Sequence, residues 1–310
     1  MLTRAFRRPR RLRRGVTLVE LLVVLIVGGI ALGLVASISL HEQRMIEDLA
    51  QASAISGQLR DASSILPIDL RGLDPGAGDI RTGQAGDTAI ELRATIASAV
   101  VCDTARRSLV LAPAGSGSGT FGSFRTLVRA GDTAWLYLPT DASDEWRPFS
   151  IASVSGTAAG GCVGAAPQLA GADRALRRMK IVLHAPPSLN GALGFPLRIT
   201  RPMRYSLYRA SNGLSYLGEK DWNDARRRFN IIQPVSGPFL AATLQTPAFR
   251  YLDSAGNALA TPVADLSAVA LIQVELRAQT PGWVRALGAA ATVGARRDSM
   301  NIVVLLHNRR

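Results

Sequence analysis

Arg13-Arg14-Gly15-Val16-Thr17-Leu18-Val19-Glu20 leads into an apolar run that ends at Leu40 and holds a single charged side chain, Glu20. The 25 residues from Val16 to Leu40 suffice, at about 1.5 Å each, to cross a hydrocarbon core of about 30 Å. The segment therefore reads as a membrane-spanning helix. A carboxylate inside such a span costs roughly 2.5 to 3.5 kcal/mol on insertion scales, so it needs a partner and a use. Nothing basic lies within the span. The nearest basic candidate is the α-amino group that cutting the chain just before the span would create.

This arrangement resembles the class III signal of type IV prepilins and of the pseudopilins of type II secretion. The resemblance implies that a prepilin peptidase cleaves after Gly15 and N-methylates Val16. It also implies that Glu20, the fifth mature residue, corresponds to the family's glutamate and pairs with the N-terminal amine of a neighbouring subunit. The signal covers about 25 of the 310 residues, but its parts constrain one another. A secretory signal peptide would have an apolar core of about 7 to 15 residues with its cleavage site after the core, whereas Gly15 precedes it. A plain single-span anchor explains length and basic flank and leaves Glu20 an accident.

Charge sets the orientation. Residues 1 to 15 hold seven arginines and no acid, which keeps this end in the cytoplasm and exports the remainder. The expected location is a bacterial inner membrane, crossed once, with the leader cytoplasmic and the head periplasmic, able to enter a pilus or pseudopilus. Seven of the 36 basic residues leave with the leader, so 29 remain against 23 acidic ones, a formal +6 in place of +13. Most of the apparent basicity is thus discarded, and nucleic acid is not an expected partner.

The helix is expected to continue past the membrane. Met45, Leu49, Ala52, Ser56, Leu59, Ser63 and Leu66 recur at three-and-four spacing, an amphipathic stripe. Pro67 is the first firm breaker. One helix from Val16 to about Leu66 would be roughly 76 Å long. The resulting fold class is α+β, a pilin-like lollipop: a cleaved leader 1–15, a transmembrane half 16–40, an amphipathic periplasmic half 41–66, and a β-rich globular head 67–310, in one domain or two lobes. Gly28, Gly29 and Gly33 either allow neighbouring helices close together or reflect the general abundance of glycine in membrane helices.

The head carries the chain's two cysteines, Cys102 and Cys162, which in an oxidising compartment are a candidate disulfide. Residues 67 to about 105 read as irregular, with turn chemistry from Asp69 to Asp79 that lacks the spacing of an EF-hand loop. Short strands follow at Ser108–Leu111, Phe124–Arg129, Trp135–Leu138, Phe149–Val154 and Met179–Leu183. A hairpin turns at Asn212-Gly213 between Tyr205–Arg209 and Leu214–Leu217. Phe249–Leu252, Ala268–Arg277 and Met300–His307 complete an antiparallel pattern. In their order, Tyr205 to Arg209, Phe249 to Gly256, Ile272 to Arg277 and Ile302 to Asn308 resemble the W-type minor pilins and J-type pseudopilins.

Catalytic patterns are weak. Gly117-Ser118-Gly119-Thr120-Phe121-Gly122 fits G-x-G-x-x-G by letter but leads into a strand pattern, whereas a dinucleotide site requires a helix. His41, His184 and His307 lack metal spacing. No nucleophile and base can be paired, so no catalytic residue, metal or cofactor is expected and the chain does not read as an enzyme. Arg226, Arg227 and Arg228, close to Trp222, form a basic run that reads first as a solvated face and second as a contact for DNA, lipid headgroups or another subunit. The expected function is a structural one: a minor pilin or pseudopilin helping to initiate or cap a type IV pilus or type II secretion pseudopilus. Its partners would be prepilin peptidase, other pilin or pseudopilin subunits, the inner-membrane assembly platform and membrane lipid. A major pilin, a DNA-uptake pseudopilus subunit and a non-polymerising membrane-anchored binding protein are the alternatives.

Overall fold

The computed structural model describes residues 17–113, 122–139, 144–157, 178–184, 186, 189, 192–280, 284–285 and 293–306. Helix α1 (Leu18–Arg71) is followed by β1 (Ile80–Ala85), β2 (Ala89–Ala105), β3 (Ser108–Leu111), β4 (Gly122–Phe124), β5 (Thr133–Pro139), β6 (Asp144–Thr157), β7 (Arg178–Leu183) and β8 (Pro196–Arg209). The order continues with β9 (Ser215–Asn223), β10 (Arg228–Phe229), β11 (Gln233–Phe239), β12 (Phe249–Leu252), β13 (Leu271–Gln279), β14 (Val284–Arg285), β15 (Val293–Gly294) and β16 (Arg297–Leu305). One long apolar helix followed by antiparallel sheets makes this an α+β fold. The chain divides into two units, Met1–Ala54 with Thr280–Arg296, and Ile55–Gln279 with Arg297–Arg310.

In the first unit, α1 is long and apolar enough to cross a membrane. Its large aliphatic side chains are exposed along the whole run, Leu25 by 67% and Leu32 by 73%. Each aliphatic side chain left in water forgoes roughly 1.5 to 3 kcal/mol of burial, so the run calls for an apolar surrounding. β14 pairs antiparallel with β15 in the same unit.

In the second unit, the end of α1 buries Ile55, Leu59, Ala62, Leu66 and Leu70, three and four residues apart as one helix face requires. The helix was expected to stop at Pro67, but it runs through that residue to Arg71. An interior proline costs about 3 kcal/mol because it removes a hydrogen bond and crowds the preceding turn. Leu66 and Leu70, both at 0% exposure, each recover roughly 1.5 to 3 kcal/mol, so packing outweighs the break.

The strands β2, β3, β7, β6, β5 and β8 pair in that order, all antiparallel, and β2 also pairs with β8. Six strands thus close into a ring. Its core takes side chains from all six, among them Ile96, Leu109, Leu136, Ile151, Ile181 and Ile199. β8 changes neighbour along its length, pairing with β5 through Leu197–Thr200 and with β9 through Met203–Arg209. With β1, β9, β10 and β11, the outer halves of β2 and β8 form an open sheet. A second core joins that sheet to the end of α1 and to the three-stranded sheet β12-β13-β16, through Leu66, Leu70, Ile90, Tyr205, Phe249, Tyr251, Val274 and Val304.

Two further expectations are corrected. The segment read as irregular up to Ala105 contains β1 and the 17-residue β2. Its alternation, Ile90, Leu92, Ala94, is made partly of a small residue and then broken by a register shift between Thr95 and Ala97, which weakens the period-two signal. The strand read at Phe124–Arg129 ends at Phe124. Beyond it Arg125 N makes one more bond to β2, at Ile96 O, and the side chains of Arg125 and Arg129 turn into ion pairs.

Candidate functional site

The described helix begins at the residues that the sequence singled out for assembly. Thr17 precedes α1, and its N–H and its hydroxyl both donate to Glu20 Oε2, at 3.0 and 3.1 Å. Glu20 N in turn donates to Thr17 Oγ1 at 3.2 Å. This is a capping box, in which residues three apart satisfy one another's orphan groups at a helix N-terminus. The pattern T-x-x-E was visible in the sequence and its local meaning was missed. Glu20 therefore has a partner within its own chain, besides any amine it meets in an assembly. Among the described residues no basic side chain pairs with it. Gly15 and Val16 lie outside the described residues.

The other end of α1 is anchored by charge. Asp69, 4% exposed, accepts from Arg125 Nη1 and, at 2.5 Å, from the hydroxyl of Tyr205. Tyr205 Oη also lies 3.3 Å from Glu219 Oε2. One phenolic proton cannot serve two carboxylates. The shorter bond takes the phenolic proton to Asp69, which leaves Glu219 a weak share of it at best.

Burial first, and then the charges of Asp69 and Asp221, hold the Glu219 carboxyl above the usual carboxylate range. Burial, followed by the Asp69 carboxylate, drives the Tyr205 phenol well above its ordinary value, and the hydrogen bond to Asp69 raises Arg125. Asp221 is instead held low: burial opposes ionisation, but bonds from Asn230 and Arg129 outweigh it. Asp69, Arg125, Tyr205, Glu219 and Asp221 share a cavity of about 220 Å³.

A pH dependence follows. A carboxyl whose folded pKa is raised contributes stability that is fully present below the unfolded value of about 4.3 and is lost as pH rises through the folded value. Glu219→Gln removes that loss. The variant is expected to melt above the parent at neutral pH and together with it near pH 4, in melts of the detergent-solubilised full chain. An offset of equal size at both pH values would show that folding does not raise the Glu219 carboxyl.

Residues 10–36 match the family described as the prokaryotic N-terminal methylation motif. The chain carries the signature of type IV pilins and pseudopilins. No curated protein and no solved structure matches the chain.

The pilin signature implies processing by prepilin peptidase and assembly with other pilin subunits, and together with the apolar helix it is consistent with a single-pass anchor. Of the remaining candidates, Cys102 is 3% exposed, with no free cysteine among the described residues. Cys162 lies outside the described residues, as do Gly117 to Phe121 and His307. Arg226 and Arg227 sit in the turn between β9 and β10, with Arg228 opening β10; all three are exposed, beside the edge-to-face pair Trp222 and Phe229 at 5.3 Å. Among the described residues no group of three or more His, Cys, Asp or Glu is placed to hold a metal ion.

Proposed function

We propose that this chain is a minor pilin or pseudopilin, a structural subunit that helps to initiate or cap a type IV pilus or a type II secretion pseudopilus. The methylation motif on an apolar helix carries the reading. Cleavage after Gly15 frees the amine of Val16, N-methylation follows, and Glu20 pairs with the amine of a neighbour within the shared helix core. The leader stays in the cytoplasm, the second unit folds in the periplasm, and Cys102 and Cys162 join in a disulfide there.

Size favours scarcity. A compact unit of about 240 residues has a radius of gyration of roughly 18 Å, whereas a helix with its side chains is about 10 to 12 Å across. Repeated side-by-side packing of such helices would crowd the units they carry. Quantitative mass spectrometry of purified filaments tests both halves of the proposal. The expected result is a mature N-terminus at N-methylated Val16 and a chain far less abundant than the principal subunit. Recovery of Met1 to Gly15 on the mature protein, where the peptidase is active, removes the prepilin reading. Finding this chain as the most abundant subunit makes it a major pilin.

A further inference from the structure

Strand β16 pairs with β13 from Arg297 opposite Gln279 to Leu305 opposite Leu271 without a register break. Just beyond it, Leu306 N donates to Ala270 O at 3.0 Å. In an antiparallel ladder such bonded pairs alternate. The even-numbered residues of β16 therefore turn their N–H and C=O groups toward β13, and Arg297, Ser299, Asn301, Val303 and Leu305 turn theirs outward. The same five carry exposed side chains, Val303 by 54% and Leu305 by 51%. Ser299 N is occupied by Asp298 Oδ1 at 2.9 Å. From Asn301 to Leu305 no strand lies along the outer edge among the described residues.

The other long edges of this unit are guarded. β12 has its outer groups taken, Phe249 N by Asp87 O at 2.9 Å and Tyr251 O by Leu259 N at 2.8 Å. β11 carries Pro234 and Pro238 and two register shifts. β1 holds only two register positions with a shift between them, and β10 is two residues long. Prolines, irregularities and short length are the usual means by which an edge avoids pairing. β16 has none of them over its second half, and it adds two exposed aliphatic side chains.

We propose that the outer edge of β16 from Asn301 to Leu305 takes up an extended segment of another protein as an added β-strand, bearing aliphatic side chains beside Val303 and Leu305. Only a strand presents N–H and C=O groups at the two-residue interval of this edge. A second copy fits less well. Antiparallel self-pairing of the open residues centres on Val303 and sets Asn301 against Leu305 twice, an amide against an aliphatic chain each time. The proposal goes beyond the pilin reading and does not depend on it.

Amide hydrogen exchange on the full chain tests it. In the detergent-solubilised chain alone, Asn301, Val303 and Leu305 should exchange fast while Ile302 and Val304 exchange slowly. In native membranes the three fast amides should slow at least tenfold. A photo-crosslinking residue at position 303 should then give an adduct with an extended segment of another protein. Val303→Pro deletes only an N–H that β13 does not use, so the chain should keep its melting temperature and lose the protection at Asn301 and Leu305. Val303→Lys, which retains the N–H, should reduce that protection as well. Protection already present in the isolated chain would mean that its own residues cover the edge. Fast exchange in membranes, an adduct to a second copy, or protection indifferent to both substitutions would each overturn the proposal.

Discussion

Glu20→Ala and Glu20→Gln are both expected to insert in the membrane at least as well as the parent, and both to fail in assembly. Insertion improves because removing a carboxylate from the span relieves roughly 2.5 to 3.5 kcal/mol. Assembly suffers because a hydrogen bond to a charged group contributes about 1.5 to 3 kcal/mol, which corresponds to a roughly tenfold to hundredfold fall in incorporation. The capping box makes the pair of variants informative. Alanine loses both the bonds from Thr17 and the charge, while the backbone N of position 20 can still donate to Thr17 Oγ1. Glutamine still accepts from Thr17 and loses only the charge. Sheared filaments or cross-linked complexes, quantified against total membrane-inserted chain, separate the two roles. Equal defects in both variants assign the effect to the charge. A glutamine variant that incorporates normally would reduce Glu20 to a helix cap.

The N-terminal part of this reading was legible in the sequence because it depends on local rules. The length of an apolar run and the residues of the methylation motif need no tertiary information, whereas the equally local T-x-x-E cap was passed over because Glu20 was read for assembly alone. The hairpin at Asn212-Gly213 was legible for the same reason, since Gly213 has a φ of 79°, a conformation that glycine adopts without strain. What stayed hidden was decided by distant partners. Pro67 reads as a stop until Leu66 and Leu70 are seen buried under it. Arg125 to Arg129 read as strand until Asp69 and Asp221, 56 and 92 positions away from Arg125 and Arg129, draw the arginines aside. The closure of six strands into a ring also escaped, because β2 and β8 each serve two sets of neighbours and no local pattern marks the switch.

The helix anchorage rests on one further pair, and breaking it is expected to give the largest loss of stability. Arg201 and Asp132 are buried together, with side chains 7% and 2% exposed. Arg201 Nε donates to Asp132 Oδ1 at 2.6 Å and its Nη2 to Oδ2 at 2.8 Å, a two-point contact. Asp132 also accepts from Arg129 N at 2.8 Å, and Arg201 reaches Leu127 O at 2.8 Å. The pair therefore fastens to β8 the same loop that supplies Arg125 to Asp69 and Arg129 to Asp221. Asp132→Ala takes the two-point carboxylate from a buried guanidinium and leaves it only the Asp221 carboxylate at 3.8 Å, and breaking a buried pair typically costs about 3 to 5 kcal/mol. In a domain of this size about 1 kcal/mol shifts Tm by roughly 2 to 4 °C, so a fall of about 6 to 20 °C is expected. Asp132→Ala with Arg201→Met removes both charges and should recover much of it, since burying neither charge avoids the desolvation cost. Arg81→Ala is the contrasting case: Arg81 faces Glu91 at 3.4 Å with its own side chain 68% exposed, and such pairs are worth about 1 kcal/mol or less. Melting curves of the three variants in the full-length solubilised chain decide between burial and mere charge. If Asp132→Ala melted no lower than Arg81→Ala, the buried pair would not be what holds the loop, and the end of α1 would owe its position to its buried apolar face and to the bond from Tyr205 to Asp69.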